Sequence, residues 1–216
     1  MNIVTMFPGQ GSQSVGMLAD VAEHSPIVQE RFAEASEVLS FDLWQLAQEG
    51  PAEVLGQTEN TQPALLTASV ALWEALQALR EEPLNVKAMA GHSLGEYSAL
   101  VCAGAISFAD GVRLVRKRGE LMQQAVPSGR GGMAAILGLD DAKVQECCAA
   151  VAGVVAAANY NAPGQIVIAG EKTAVADAIQ ACKEAGAKRA LALDVSGPFH
   201  SPLMEPAAEE FSAVLS

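Results

Sequence analysis

The 216-residue sequence predicts an α/β protein: a parallel-sheet core with helices on its faces, and a smaller inserted subdomain. Two observations predict the core. Short apolar segments alternate with longer amphipathic ones, and strands separated by helices form parallel sheets. A Gly-x-Ser-x-Gly pattern also stands between an apolar segment and a helix-compatible one, as it does at a sharp strand-to-helix turn. The third observation predicts the insert: within 127–195 the element order becomes β-α-β-β-α-β, that of a ferredoxin-like unit.

The predicted elements of the core are a strand at 2–7, helices at 26–39 and 63–82, a strand at 86–90, and helices at 97–103 and 109–126. Pro63 is expected in the first turn of its helix, because proline interrupts a helix interior. The insert is predicted to contain a strand at 133–137, a helix at 140–150, strands at 154–158 and 165–169 joined by the loop 159–164, a helix at 173–185 and a strand at 188–195. A last helix covers 206–215. The predicted domains are therefore 1–126 with 196–216, and 127–195.

Composition excludes several classes of protein. The formal charge of −12 argues against a general nucleic-acid binder. The N-terminus has no positively charged signal-peptide region, and we find no membrane span. The four cysteines show no metal-binding spacing, so we expect reduced core thiols in a cytoplasmic protein and no bound metal; they are Cys102, Cys147, Cys148 and Cys182.

Ser93, in the run Gly91-His92-Ser93-Leu94-Gly95, is the candidate nucleophile. Glycines on both sides let the backbone bend sharply, and the following helix would direct its N-terminal amides at an oxyanion. The amide of Leu94 and the loop Gly9-Gln10-Gly11 are the candidate oxyanion donors. A glycine-rich turn with a surface serine is the alternative. The loop fits no nucleotide motif, since Ser14 replaces the third glycine and no P-loop Lys-Ser/Thr follows.

His200 is the best candidate for the general base among three histidines. It lies in the loop Ser196-Gly197-Pro198-Phe199-His200, where the chain re-enters the core, and the order serine then histidine agrees with α/β-hydrolase-like enzymes. His24 is expected at the surface, and His92 adjoins Ser93 too closely to serve as its base. An exposed loop histidine is the alternative for His200. No aspartate between Ser93 and His200 has the context of a triad member, so a carbonyl is expected to orient the imidazole.

Arg118 is the candidate specificity residue. A helical period of 3.6 residues places it in the middle of the apolar face made by Leu114, Val115, Leu121, Met122 and Ala125. An unpaired buried charge is costly, and the planar guanidinium suits a carboxylate held by two hydrogen bonds. The partner is either a substrate carboxylate or, in the alternative, an internal salt bridge.

Together these residues resemble the malonyl-CoA:acyl carrier protein transacylases and the related acyltransferase domains of fatty acid and polyketide synthases. The matching motifs are Phe7-Pro8-Gly9-Gln10-Gly11-Ser12-Gln13, Thr61-Gln62-Pro63-Ala64, Gly91-His92-Ser93-Leu94-Gly95-Glu96, Arg118-Gly119 with Met122-Gln123, Asn161-Ala162-Pro163-Gly164-Gln165, and Phe199-His200-Ser201. The resemblance covers nearly the whole chain and implies an α/β-hydrolase-like core with a ferredoxin-like insert.

By this resemblance Ser93 takes the malonyl group, His200 is general base and acid, and the amides of Gln10 and Leu94 form the oxyanion hole. Arg118 binds the malonyl carboxylate with His92 assisting, and Gln62, Met122 and Phe199 complete the substrate pocket. The implied partners are malonyl-CoA and acyl carrier protein, with no cofactor beyond the CoA thioester, no nucleic acid and no membrane. Lys188 and Arg189 are the expected docking charges; the trio Arg113, Arg116 and Lys117 is expected to be an exposed, solvated face.

The chain departs from the family in ending early. Family members continue through a further segment, whose main-chain carbonyl orients the catalytic histidine; either this chain is a fragment or it lacks that segment natively. The alternative functions are a thioesterase or esterase on the same serine turn, and a non-catalytic module that binds carrier protein or CoA.

Overall fold

The structure, a computed structural model, describes residues 2–127, 129–193, 195 and 197–215. It combines a parallel and an antiparallel sheet with helices, so the predicted mixed α/β class is confirmed. The chain divides into two compact units, Met1–Glu120 and Leu121–Ser216. The predicted grouping of 196–216 with 1–126 differs from this division and stays a prediction.

The first unit consists of β1 (Ile3–Phe7), α1 (Ala19–Ala22), α2 (Pro26–Leu39), α3 (Leu43–Glu49), α4 (Ala52–Leu55), α5 (Thr58–Ala78), β2 (Val86–Gly91), α6 (Gly95–Cys102) and the larger part of α7 (Phe108–Ala125). The sequence did not predict the short helices α1, α3 and α4. β1 and β2 pair in parallel, with Phe7 opposite Gly91. The loops that follow the two strands therefore leave the sheet side by side.

A helical layer supplies the core of the first unit. Phe32 of α2 is fully buried and meets Trp44 of α3 edge to face, with ring centroids 4.9 Å apart. Nearly every residue in the first half of α5 is buried, including the polar residues Thr58, Thr61 and Gln62. A helix enclosed in this way lies in the interior rather than at the surface. Polar side chains inside it must find partners, and these partners build the candidate site.

The predicted start of α5 is wrong. The helix begins at Thr58, so Pro63 lies inside it rather than in its first turn. Two side chains stabilise the early start, because Thr61 Oγ1 donates to the Leu55 carbonyl at 2.6 Å and Asn60 Nδ2 donates to the Val54 carbonyl at 2.9 Å. Both contacts satisfy carbonyls of the preceding turn, and neither is visible as a local helix-start pattern.

The second unit contains β3 (Gly131–Leu137), α8 (Asp141–Ala150), β4 (Val155–Ala162), β5 (Gln165–Glu171), α9 (Lys172–Glu184), β6 (Arg189–Leu193), a 3₁₀ turn (Pro202–Met204) and α10 (Glu205–Val214). The predicted order β-α-β-β-α-β is present, and the antiparallel sheet has the strand order β4-β5-β3-β6. The predicted loop 159–164 is wrong in extent, because β4 continues to Ala162 by pairing with β5. The last predicted strand ends at Leu193; Asp194 lies outside the described residues.

Both faces of β5 are covered. Ile166 and Ile168 of β5 face a cluster with α8 and α9, whereas Val167 and Ala169 face a cluster that includes Phe199. Successive side chains of a strand point to opposite faces, so a strand buried on both sides reads as a continuous apolar run. This explains the segment Ile166-Val167-Ile168-Ala169.

All four cysteines are free, as expected of core thiols. Burial raises the pKa of the Cys102 and Cys182 thiols to about 12 and that of Cys148 to about 11. No helix within the described ranges is long and apolar enough to cross a membrane. The same ranges hold no cluster of three histidine, cysteine or acidic side chains suited to a metal ion.

Candidate active site

Ser93 stands in the turn between β2 and α6 with a left-handed backbone, at φ +53°. Non-glycine residues rarely adopt this conformation, which is concentrated at functional sites. The turn is held closed by hydrogen bonds from the amides of Gly95 and Glu96 to the carbonyls of His92 and Ser93, at 2.9 and 3.2 Å. The serine is thus presented by a strained and well-anchored turn.

The two flanking glycines are required by close approach. A Cβ at Gly91 would overlap the backbone of Gly95, and a Cβ at Gly95 would overlap the carbonyl oxygen of Phe7 at the end of β1. The serine turn is therefore pressed against the neighbouring strand and against itself. This explains in physical terms why the pattern has glycine at both positions.

The loop after β1 lies beside the serine turn. The His92 amide donates to the Phe7 carbonyl at 3.0 Å, which extends the pairing of β1 with β2 past their ends. Farther along, Gln10 Nε2 donates to Thr58 Oγ1 at 3.2 Å and so ties the loop to the start of α5. Leu94, which follows the serine, is buried in the core of the unit. Both candidate oxyanion donors, Gln10 and Leu94, thus belong to anchored segments.

Arg118 of α7 joins the same group. Its Nη1 donates to Gln62 Oε1 at 2.8 Å, and its Nη2 donates to Ser93 Oγ at 3.2 Å. The guanidinium carbon lies 5.6 Å from the centre of the Tyr97 ring. Ser93, Gln62 and Arg118 are predicted site residues, and the structure brings all three into contact.

Burial lowers the pKa of Arg118, while the Tyr97 hydroxyl and the Glu96 carboxylate oppose this shift. In the part of the chain that the structure describes, no carboxylate forms an ion pair with Arg118. The alternative of an internal salt bridge therefore has no partner there. A desolvated guanidinium favours an incoming anion, because a buried charge without a counter-charge is costly.

The remaining predicted residues are placed as follows. His92 is exposed beside Gly9. In the second unit, His200 is exposed with a left-handed φ of +60°, and Phe199 is buried with Met122 packed against its cluster. Lys188 and Arg189 are exposed at the start of β6. Ser196, which opens the predicted histidine loop, lies outside the described residues.

The expected exposed trio on α7 requires a correction. The side chains of Arg113 and Lys117 are 61% and 45% exposed, but that of Arg116 is 30% exposed and donates to Asn60 Oδ1 at 2.6 Å. A helical period places Arg116 on the polar face of α7. It does not reveal that the start of α5 covers part of that face.

Comparison with known proteins adds independent information. Residues 4–216 match the family described as "Acyl transferase domain". The chain belongs to the acyl transferase family. It is 61% identical over 213 residues to the malonyl CoA-acyl carrier protein transacylase of Salmonella typhimurium. The aligned residues cover 98% of this chain and 68% of that protein.

Solved structures of acyl transferases agree with this assignment. The acyl carrier protein S-malonyltransferase from Vibrio cholerae is 59% identical, with a TM-score of 0.92 over 98% of this chain and 69% of the other. A malonyl-transacylase solved in complex with its type II PKS acyl-carrier protein is 55% identical, with a TM-score of 0.96 over 100% of this chain and 70% of the other.

Sequence reasoning missed three residues of this candidate site: Thr58, Tyr97 and Arg116. Each acts by holding another residue: Thr58 holds Gln10, Tyr97 stacks on Arg118, and Arg116 binds the first turn of α5. The position of Tyr97, four residues after Ser93 on the emerging helix, could have marked it as a neighbour of the nucleophile.

Replacement of Gly95 by alanine tests the close packing of the serine turn. We expect Gly95→Ala to lower the free energy of unfolding by about 1–3 kcal/mol or more, the usual cost of forcing a methyl group into a packed site. Gly132→Ala is the control, because the nearest atom to its added Cβ is 3.8 Å away. Urea unfolding of both variants measures the difference. Equal stability of the two would contradict the close approach of Gly95 to Phe7.

Proposed function

We propose that this chain transfers a malonyl group from malonyl-CoA to acyl carrier protein, in support of fatty acid elongation. The observation that carries the proposal is the half-buried Arg118 guanidinium at 3.2 Å from the candidate nucleophile Ser93. A cation at that place can hold the free carboxylate of a malonyl group while its thioester carbonyl meets the serine. The names of the relatives support the same reaction.

In the first half-reaction, Ser93 Oγ attacks the thioester carbonyl and His200 accepts the hydroxyl proton. The amides of Gln10 and Leu94 hold the oxyanion of the tetrahedral intermediate. Collapse breaks the carbon–sulfur bond, and His200 returns the proton to the departing CoA thiolate. In the second half-reaction the phosphopantetheine thiol of the carrier protein gives its proton to His200 and attacks the malonyl-serine ester. The ester carbon–oxygen bond then breaks, and His200 returns the proton to Ser93 Oγ.

Substrate choice is assigned to the groups around this carbonyl. Arg118 binds the malonyl carboxylate through its fork, with Gln62 orienting the fork and His92 assisting. Met122 and Phe199 bound the acyl pocket, and the bulk of Phe199 favours unbranched malonyl over methylmalonyl. The reaction as proposed needs no cofactor beyond the CoA thioester.

At the level of architecture, we propose an α/β-hydrolase-like core that carries the serine turn and a ferredoxin-like subdomain formed by 127–195. The parallel pair β1–β2 with the serine turn at its carboxyl end supports the first assignment. The strand order β4-β5-β3-β6 supports the second. A cytoplasmic location stays a prediction.

A thioesterase or esterase is the second candidate, because it would use the same serine turn. The Arg118 fork weighs against it, since hydrolysis of a neutral acyl group gains nothing from a cation beside the nucleophile. A non-catalytic module that binds carrier protein or CoA is the third candidate. Covalent loading of Ser93 separates this module from an enzyme.

Ser93→Ala is expected to abolish formation of the malonyl-enzyme without loss of the fold. Intact-mass spectrometry after incubation with malonyl-CoA measures the adduct, and peptide mapping locates it. Ser14→Ala, at an exposed loop serine, is the control and should load normally. His200→Ala should slow loading on the order of 10²–10⁴-fold, the usual effect of losing a general base. A malonyl adduct on any other residue would contradict the assignment.

Arg118→Ala is expected to shift preference from malonyl-CoA towards acetyl-CoA. The ratio of kcat/KM values for the two substrates should fall by about 10²-fold or more, because the carboxylate loses its buried partner. Competition for Ser93 loading measures this ratio. Arg113→Ala, at an exposed arginine of the same helix, should leave it unchanged. An unaltered ratio in Arg118→Ala would mean that the guanidinium has a structural role alone.

We propose that carrier protein docks through Lys188 and Arg189, because an acidic chain must meet an acidic partner with local positive charge. Reversing both charges to glutamate should raise KM for carrier protein by about tenfold at low salt and weaken its salt dependence. Loading of Ser93 by malonyl-CoA alone should change less. Lys117→Glu, on the other basic cluster, is the matched comparison. If both half-reactions keep wild-type values, the docking surface lies elsewhere.

A further inference from the structure

Arg116 connects α7 to the first turn of α5. Its Nη1 donates to the Glu59 carbonyl at 3.2 Å and to Asn60 Oδ1 at 2.6 Å, while its Nε donates to Glu120 Oε1 at 2.8 Å. The guanidinium also lies 5.8 Å from the centre of the Phe41 ring. One side chain thus joins two helices whose residues are more than fifty positions apart in the chain.

Pro63 explains why the Glu59 carbonyl accepts this contact. In an α-helix the amide of residue 63 would donate to the carbonyl of residue 59, but proline has no amide hydrogen. α5 continues through Pro63, so this carbonyl lacks its ordinary backbone donor. Arg116 supplies the donor from the neighbouring helix. The contact therefore replaces a backbone hydrogen bond, and it places the two helices at a defined register.

Gly119 fixes the same register by contact. A Cβ at this position would lie 2.6 Å from Glu59 Cα and 2.8 Å from the Thr58 carbonyl oxygen, so the backbones meet closely here. Arg116 and Gly119 are three residues apart and share one face of α7. Arg118 projects from the same turn and reaches Gln62, in the turn of α5 that follows Glu59. The position of the Arg118 fork depends on how α7 sits against α5.

We infer that Arg116 is a positioning residue: it holds α7 in the register at which Arg118 meets Gln62 and Ser93. This inference rests on the proposed function in taking the malonyl carboxylate as the ligand of Arg118. Loss of the Arg116 guanidinium lets α7 shift against α5 and misplaces the fork. Loading by malonyl-CoA suffers because it needs the fork, whereas loading by acetyl-CoA, which has no carboxylate, does not.

The test compares Arg116→Gln with Arg113→Gln, an exposed arginine one turn away on α7. Serine loading is measured with malonyl-CoA and with acetyl-CoA. In Arg116→Gln we expect KM for malonyl-CoA to rise about tenfold, an effect in the range of coupled neighbours, with the acetyl-CoA rate close to wild type. Arg113→Gln should behave as wild type with both substrates. An equal fall of both loading rates in a folded Arg116→Gln variant would overturn the positioning role.

Two further variants sharpen the result. Pro63→Ala restores an amide donor for the Glu59 carbonyl, so Arg116→Gln should lose less malonyl preference in that background. If Arg116→Gln does not fold, Arg116→Lys takes its place. One ammonium group cannot reproduce all the hydrogen bonds of the Arg116 guanidinium, so KM for malonyl-CoA should still rise, but by a smaller factor. A folded Arg116 variant with wild-type malonyl preference overturns the inference. If wild-type protein does not load malonyl on Ser93 at all, it is the proposed function that fails.

Discussion

The arrangement of the candidate site depends on the close approach of α7 to the first turns of α5. Glycine at 119 allows the backbones to meet, and polar side chains buried within α5 then receive contacts from three directions. These contacts are hydrogen bonds: Thr58 accepts from Gln10 in the loop after β1, Asn60 accepts from Arg116, and Gln62 accepts from Arg118. A polar network enclosed in this way is stable only if its members are satisfied, and a satisfied network is rigid. Ser93, the loop after β1 and the Arg118 guanidinium are thereby held to one helix.

The electrostatics of the chain and of the site have opposite signs. The chain carries a formal charge of −12, yet the charge beside Ser93 is a guanidinium whose pKa is lowered by burial. Arg118 is hydrogen-bonded to the neutral side chains of Gln62 and Ser93 and lies over the Tyr97 ring, and it forms no ion pair with a carboxylate of the described residues. Neutral partners orient a cation without neutralising it. The attraction for an anionic acyl group is therefore local, and it is preserved within a field that repels anions at longer range.

The features that sequence reasoning found are those fixed by nearby residues. Gly91 and Gly95 define the serine turn because the chain must fold back on itself within five residues, and helical periodicity alone places Arg118 on the inner face of α7. Features fixed by distant residues were missed. Helical periodicity alone predicts a solvated Arg116, whereas the start of α5 covers it. α5 itself begins early because Asn60 and Thr61 donate to the carbonyls of Val54 and Leu55. β4 extends to Ala162, into the run 159–164 whose two asparagines, proline and glycine favour a loop, because β5 supplies the hydrogen bonds.

The left-handed backbone of Ser93 has a consequence for how this turn can vary. The conformation suits glycine, is tolerable for serine and is costly for the branched Cβ of threonine, so the backbone itself restricts which hydroxyl can stand there. The residue that the proposed reaction needs is thus one that conformational preference alone would replace by glycine. Stability and activity pull in opposite directions at this position. Under selection for thermal stability without selection for turnover, we expect Ser93 to be replaced, by glycine, before the surrounding core residues change.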